Sequence, residues 1–309
     1  MVRSDRKILH ININMKNIKQ AIILLACSLL LTATGVTLFR IFFTDLNIFS
    51  KEKSQSGSSA PLIQSVLEFD LFGYTDRGDK KWQIHGKKAE ACGDVVKVKS
   101  IIAKTFDDKK INLSADEGYY NRSKKNVVLQ NHVVVTTDDG VELKTDRLIW
   151  FNDRNILQTD KRIVVTRENV KTVSKGAVAF PQSKKINLLG SVKITQDNKD
   201  NKITISCDGP LNIDYAANIA KLHDNVIIVD AEKTIYSDYM EVYFDTETKD
   251  IVKAIAKQNV KITKDKNITT CEEATYYAKE GRIVLTGKPK IVFYTDEDTN
   301  AFIGNEGTR

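Results

Sequence analysis

The sequence predicts an all-β protein, a stack of antiparallel strands behind a single N-terminal transmembrane helix. Three observations carry this expectation. From about residue 90 onward one unit recurs roughly every 30 residues. Within the units Val, Ile and Thr alternate with polar residues at the period of a pleated strand. A long apolar run occurs once, near the N-terminus, and no amphipathic helical pattern follows it. A short β unit cannot bury its apolar face alone, so neighbouring units have to stack.

Residues 1–20 carry Arg3, Arg6, Lys7, Lys16 and Lys19, which by the positive-inside rule stay in the cytoplasm. Residues 21–43 form the expected anchor. Ala21 to Leu38 is uninterrupted by charge, and Ile41, Phe42 and Phe43 extend it beyond Arg40, enough to cross a hydrocarbon core. A cleaved signal peptide is the rival reading, but the run is long for one and no Ala-x-Ala site follows it. Leu24-Leu25-Ala26-Cys27 faintly resembles a lipoprotein processing site, yet the apolar run continues well past Cys27. Everything after Phe43 is therefore expected outside the cytoplasm. Residues 44–61 form a polar tether, Ser-rich from Ser50 to Pro61, with no core-forming content.

The folded body is expected from Leu62. Phe69 to Tyr74 and Lys81 to Gly86 read as a hairpin across Asp76-Arg77-Gly78-Asp79, with a weaker first copy of the repeat from Ala89. Turn chemistry marks Asp138-Asp139-Gly140, Asn152 to Asn155, Asp197 to Asn201 and Lys264 to Asn267. Each unit has a polar marker, namely Asp116, Asp146, Lys175, Asp208, Asp238 or Glu272, and later a short alternating strand. The markers recur once per unit at one slot, as a structural device does. They read as strand-break carboxylates taking local backbone N–H bonds. With about four short strands per unit, the body would carry roughly two dozen and run on the order of 60 Å.

Alternation separates the two faces of each strand. In Val192-Lys193-Ile194 and Val260-Lys261-Ile262 the apolar residues share one face and lysine takes the other. The candidate lining of a continuous apolar interior is therefore Val133, Val135, Ile163, Val165, Val192, Ile194, Val226, Ile228, Val260, Ile262, Ile291 and Phe293. Val134, Val164 and Ile227 make some strands apolar on both faces, which leaves their parity open. So does the position of Tyr120, Trp150, Phe180, Tyr243 and Tyr276, inside or outside. If the two sheets close fully, this strip is core; if they splay along one margin, it is a trough for apolar ligands.

The net charge of +7 comes from lysines scattered over strands and turns. Dispersed lysines protect solvent faces and sheet edges, with attraction to an anionic partner as the alternative. Cys27 falls in the apolar run, and Cys92, Cys207 and Cys271 are an odd set, so no complete disulfide framework is expected. Cys207 and Cys271 each precede a marker, as small core residues would, with a bridge between them as the lesser alternative. His85, His132 and His223 lack metal-ligand spacing, and no phosphate loop, nucleophile elbow or basic-aromatic nucleic-acid surface occurs. No cofactor, metal, nucleic-acid partner or enzymatic activity is expected.

The repeat unit resembles the OstA-like β-jellyroll repeat of the periplasmic lipopolysaccharide-transport proteins LptA, LptC and the N-terminal part of LptD. The matching stretches are Leu113-Ser114-Ala115-Asp116, Leu129 to Val135, Lys144 to Leu148 and Leu188 to Ile194. One anchor, a tether and then Phe69 to Gly86 leading into repeats is similar to LptC specifically. An LptC-type domain would end near residue 200, yet the repeats continue to about Tyr294. The chain thus resembles an LptC-like body, residues 62–200, extended by LptA-like repeats, residues 201–300, with a tail at 301–309. The resemblance implies an elongated V-shaped β-jellyroll on the periplasmic side of the inner membrane. It implies lipopolysaccharide as ligand, received from an inner-membrane ABC-transporter permease complex. It also implies hand-over toward the outer membrane by edge-strand pairing with an LptA-like or LptD-like β-jellyroll. Open sheet ends near Phe69 to Tyr74 and Ile283 to Tyr294 are the expected docking edges. The reading from another class is a structural β-stack, a stalk or scaffold with a sealed core.

Overall fold

Alternating apolar residues organise the chain into long strands, each pairing antiparallel with the next. The computed structural model describes residues 64–294 except 76, 107–109, 199–200 and 249. The expected cytoplasmic segment, anchor, tether and tail fall outside these residues. Among the described residues there is no helix long and apolar enough to cross a membrane. The first eight strands are β1 (Gln64–Tyr74), β2 (Lys80–Cys92), β3 (Val95–Thr105), β4 (Ile111–Asn121), β5 (Asn126–Thr137), β6 (Val141–Phe151), β7 (Ile156–Arg167) and β8 (Val170–Phe180). Four short strands follow: β9 (Lys185–Leu188), β10 (Val192–Asn198), β11 (Asn201–Cys207) and β12 (Leu211–Asp214). Long strands resume with β13 (Ile219–Val229), β14 (Lys233–Phe244), β15 (Ile251–Lys264) and β16 (Asn267–Tyr277). The last two are the short β17 (Arg282–Thr286) and β18 (Lys290–Val292).

The unit is thus built from two long strands where the sequence suggested four short ones. The reason lies in the middle of each strand. In β5 the ladder to β6 pairs Gln130 with Arg147 and resumes at Val133 with Thr145, skipping two residues. Those two, Asn131 and His132, have φ of 62° and 50°. Asp224-Asn225 and Gln258-Asn259 do the same in β13 and β15. Asn, Asp and His tolerate the left-handed region better than other side chains, so the chain bends there without breaking. Each long strand therefore turns a corner. For β5, Val127 and Leu129 lie in one wall, Val133 and Val135 in the other. The corners stack into one closed margin where the two walls meet.

The polar markers sit at these corners. Three of them, Asp116, Asp208 and Asp238, bond to side chains of the next strand's left-handed pair where local backbone N–H groups were expected. Asp208 accepts from Asn225 Nδ2 at 3.0 Å and Asp238 from Asn259 Nδ2 at 2.6 Å. Asp116 Oδ2 lies 2.7 Å from His132 Nδ1. The bend presents the Asn or His side chain outward beside the carboxylate, so strand joins strand along the margin.

Two corners do become breaks. β9 and β10 are separated at Gly190-Ser191, and β11 and β12 at Asp208-Gly209-Pro210. Both walls nevertheless stay continuous. One runs β8–β9–β12–β13 and the other β8–β10–β11–β13. The chain passes from its first eight strands to its last six through this four-strand seam. At the far end β16 pairs with β17 in one wall and β18 in the other.

Candidate functional site

The interior between the walls is the largest apolar feature, and its residues align strand by strand. Register places one inward ladder along the whole wall that contains β10. It runs Leu71, Ile84, Ala103, Leu113, Val135, Leu143 and Val165 through the first seven strands. Thr172 follows, then Ile194, Ile205, Ile228, Ile235 and Ile262, and the row ends at Thr269 and Ile291. Opposed β-branched side chains at this spacing pack directly against one another.

Ten of the twelve candidate lining residues, Val133 through Ile262, are 0–7 % exposed and point inward. Ile291 is half-buried on β18, and Phe293 lies past its end, 69 % exposed. Lys193 and Lys261 point outward, opposite Ile194 and Ile262. Val134, Val164 and Ile227 take the outer face, where each is half-buried. Of the aromatics left open by the sequence, Trp150 and Tyr276 are buried inside, while Tyr120, Phe180 and Tyr243 are half-buried.

The two walls are closed on each other. A cavity of ≈ 40 Å³ remains in the second half, lined by Met240, Val242, Ala254, Ala256, Ala274, Tyr276 and neighbouring isoleucines. Three alanines leave this gap, whereas Trp82 and Trp150 fill the first half. The space holds a few atoms and no acyl chain, so a long-chain ligand has to part the walls.

The row next to the corners explains the cysteines. On β4, β6, β8, β11, β14 and β16 this position holds Ala115, Thr145, Ser174, Cys207, Ser237 and Cys271, all small and buried against Val or Ile of the adjacent strands. Cys207 and Cys271 are free thiols, and burial pushes both up to about 11. Cys92 is free and exposed.

Two outer-face clusters escaped the sequence reading. Glu117 accepts a hydrogen bond from the Tyr119 hydroxyl at 2.5 Å and pairs with Lys97 at 3.3 Å. Glu241 accepts from Tyr239, Tyr243 and Lys257 at 2.8, 3.0 and 3.0 Å. Burial works against the Glu241 anion, but the three donors outweigh it and lower its pKa. The pattern Glu-x-Tyr or Tyr-x-Glu-x-Tyr, all on one face at period 2, was the available signal. Among the described residues, no group of His, Cys, Asp or Glu has an arrangement able to hold a metal ion.

Comparison with known families decides what this architecture belongs to. The model described as lipopolysaccharide-assembly, LptC-related, matches residues 25–197, more than half of the chain. The chain belongs to this LptC-related family. A second model, described as the LptA/LptD N-terminal domain lipopolysaccharide transport protein, matches residues 209–307. The LptC-related chain thus carries both domain types, and residues 198–208 of the seam, with β11, lie between the two matches. No curated protein matches it. Among solved structures, it is similar to LptH of Pseudomonas aeruginosa, described as the LptA-homologous periplasmic component of the conserved lipopolysaccharide transport device. That similarity is 13 % identity over 46 % of this chain and 79 % of that one, with a TM-score of 0.20.

Proposed function

We infer that the chain is an inner-membrane-anchored periplasmic carrier that takes lipopolysaccharide from an ABC-transporter permease complex and passes it toward the outer membrane. Residues 21–43 anchor it and 44–61 tether it. Residues 62–200 form the LptC-like receiver and residues 201–300 the LptA-like extension. Acyl chains lie between the walls, against the ladder from Val135 to Ile262, and the phosphorylated head stays outside near the dispersed lysines. The observation that carries this reading is the inward ladder, which passes the seam through Ile194 and Ile205 without a charged residue. Each methylene kept from water is worth about 0.8 kcal/mol, so a long apolar row suffices to hold several chains without a specific polar site. Edge pairing at β1, and at β17 and β18, supplies the contacts with the permease complex and with an LptA-like or LptD-like acceptor.

The test is in-cell photocrosslinking with a benzophenone amino acid at Ile194 and, as control, at Lys193. The carrier gives a lipopolysaccharide adduct at Ile194 and none at Lys193. Adducts at neither, in a folded protein and an active strain, favour the structural β-stack. The closed interior is the observation on that side. Deleting residues 282–294 should abolish docking to the acceptor while β2 to β15 stay folded, and binding that persists rules out end-to-end transfer.

A further inference from the structure

The apolar interior thins near its middle, where half-buried Leu157 and Ala177 are packed against both of its parts. The buried hydrophobic residues form two clusters, one from Trp82 to Val165 and one from Val170 to Leu285. Where they meet, the inward positions change chemistry. Thr145 on β6, Thr159 on β7, Thr172 and Ser174 on β8 and Gln196 on β10 are all buried, at 1–6 % exposure. The hydroxyls are held by local partners. Thr145 and Thr159 lie 3.1 Å apart, Thr159 accepts from the Lys161 N–H, and Ser174 donates to the Gly176 carbonyl at 2.7 Å. Gly176 itself has φ +85°, and a Cβ there would meet the Thr159 carbonyl at 3.0 Å, so the backbone closes in beside the belt. Thr172 is the polar break in the ladder between Val165 and Ile194.

We propose that this belt of hydroxyls divides the interior into two acyl-chain compartments and forms a threshold between them. The proposal rests on the carrier reading and deepens it. A chain lying across β8 faces hydroxyl groups and small side chains where the flanking ladder residues, Val165 and Ile194, offer methyl groups. Lipid therefore rests on one side or the other, and crossing is a discrete step within the LptC-like part, ahead of the LptA-like strands. Each hydroxyl replacing a methyl forfeits about one methylene of apolar contact, so two of them reduce occupancy at the belt on the order of tenfold.

The experiment uses the full-length protein, loaded with purified lipopolysaccharide, carrying the benzophenone residue in turn at Val135, Val170 and Ile228. The threshold gives strong adducts at Val135 and Ile228 and about tenfold fewer at Val170. Equal yields at all three sites overturn the threshold and leave the carrier standing. No adduct at any site overturns both. Thr172→Val, which keeps the side-chain shape, should raise the Val170 adduct several-fold toward the other two. An unchanged minimum in that variant removes the hydroxyls as its cause.

Discussion

Ile205→Ala tests whether the walls are closed at rest. Ile205 is 1 % exposed and sits between Ile194 and Ile228 in the ladder. The substitution removes three carbons, about 2.4 kcal/mol of transfer free energy. Neighbours held by two walls collapse only partly into the space, which raises the expected loss to about 3–4 kcal/mol. Urea unfolding of the full-length protein in detergent, followed by β-sheet circular dichroism, reads this directly. With a slope of about 2–3 kcal/mol per molar, the midpoint falls by about 1–2 M. Lys193→Ala, on the outer face one residue from Ile194, should change stability by less than about 0.5 kcal/mol. A loss below about 1 kcal/mol for Ile205→Ala would refute the reasoning, because it means the ladder stands in a loose, wetted trough.

Other outcomes follow from single sites. Lys233 and Asp230 form a buried ion pair at 3.2 Å beneath the β13–β14 turn. Asp230→Ala leaves the ammonium buried without its partner and should cost about 3–5 kcal/mol in the same unfolding assay. The Asp116 carboxylate hydrogen-bonds His132 and raises its pKa. The stabilisation from this pair is present in full below the unfolded histidine value, and it fades as pH rises through the folded one. Asp116→Asn should therefore move the His132 NMR titration midpoint downward, and an unmoved midpoint removes the pair as the cause. With their pKa pushed up to about 11, Cys207 and Cys271 should resist a thiol reagent at pH 8 until urea is added, while Cys92 reacts at once.

Much of the interior was legible in the sequence because period-2 alternation and burial are the same fact read twice. Val192 and Ile194 point inward because Lys193 between them cannot. The hairpin of β1 and β2 and the turns at Asp138 to Gly140 and Asn152 to Asn155 were equally plain, since Gly, Asp and Asn tolerate the conformations required. The corner was not legible. Gln130-Asn131-His132-Val133 reads as a strand end and a new beginning, and only the left-handed pair shows that one strand continues. Nor does sequence show where an Asp side chain finds its donor, because Asp208 and Asn225 are distant in the chain. The hydroxyl belt was hidden for another reason. Thr has high strand propensity, so Thr159 and Thr172 look like ordinary strand residues until register aligns them with Ser174 and Gln196.

The seam and the corner margin also set how the molecule bears load. Every strand runs across the long direction of the stack, so the inter-strand hydrogen bonds lie along it. In the proposed carrier, with its N-terminus anchored and its C-terminus docked, tension would pull on those bonds one strand at a time, from the ends inward, like opening a zipper. Two cross-sections are thin: the end, where β18 is tied to β16 through three residue pairs and β17 through five, and the seam, where β11 and β12 are tied to β13 through three and four. Opening from the ends, an overstretched bridge would shed its terminal strands before the seam is reached. The break would then fall at the edge proposed for docking and spare the interior.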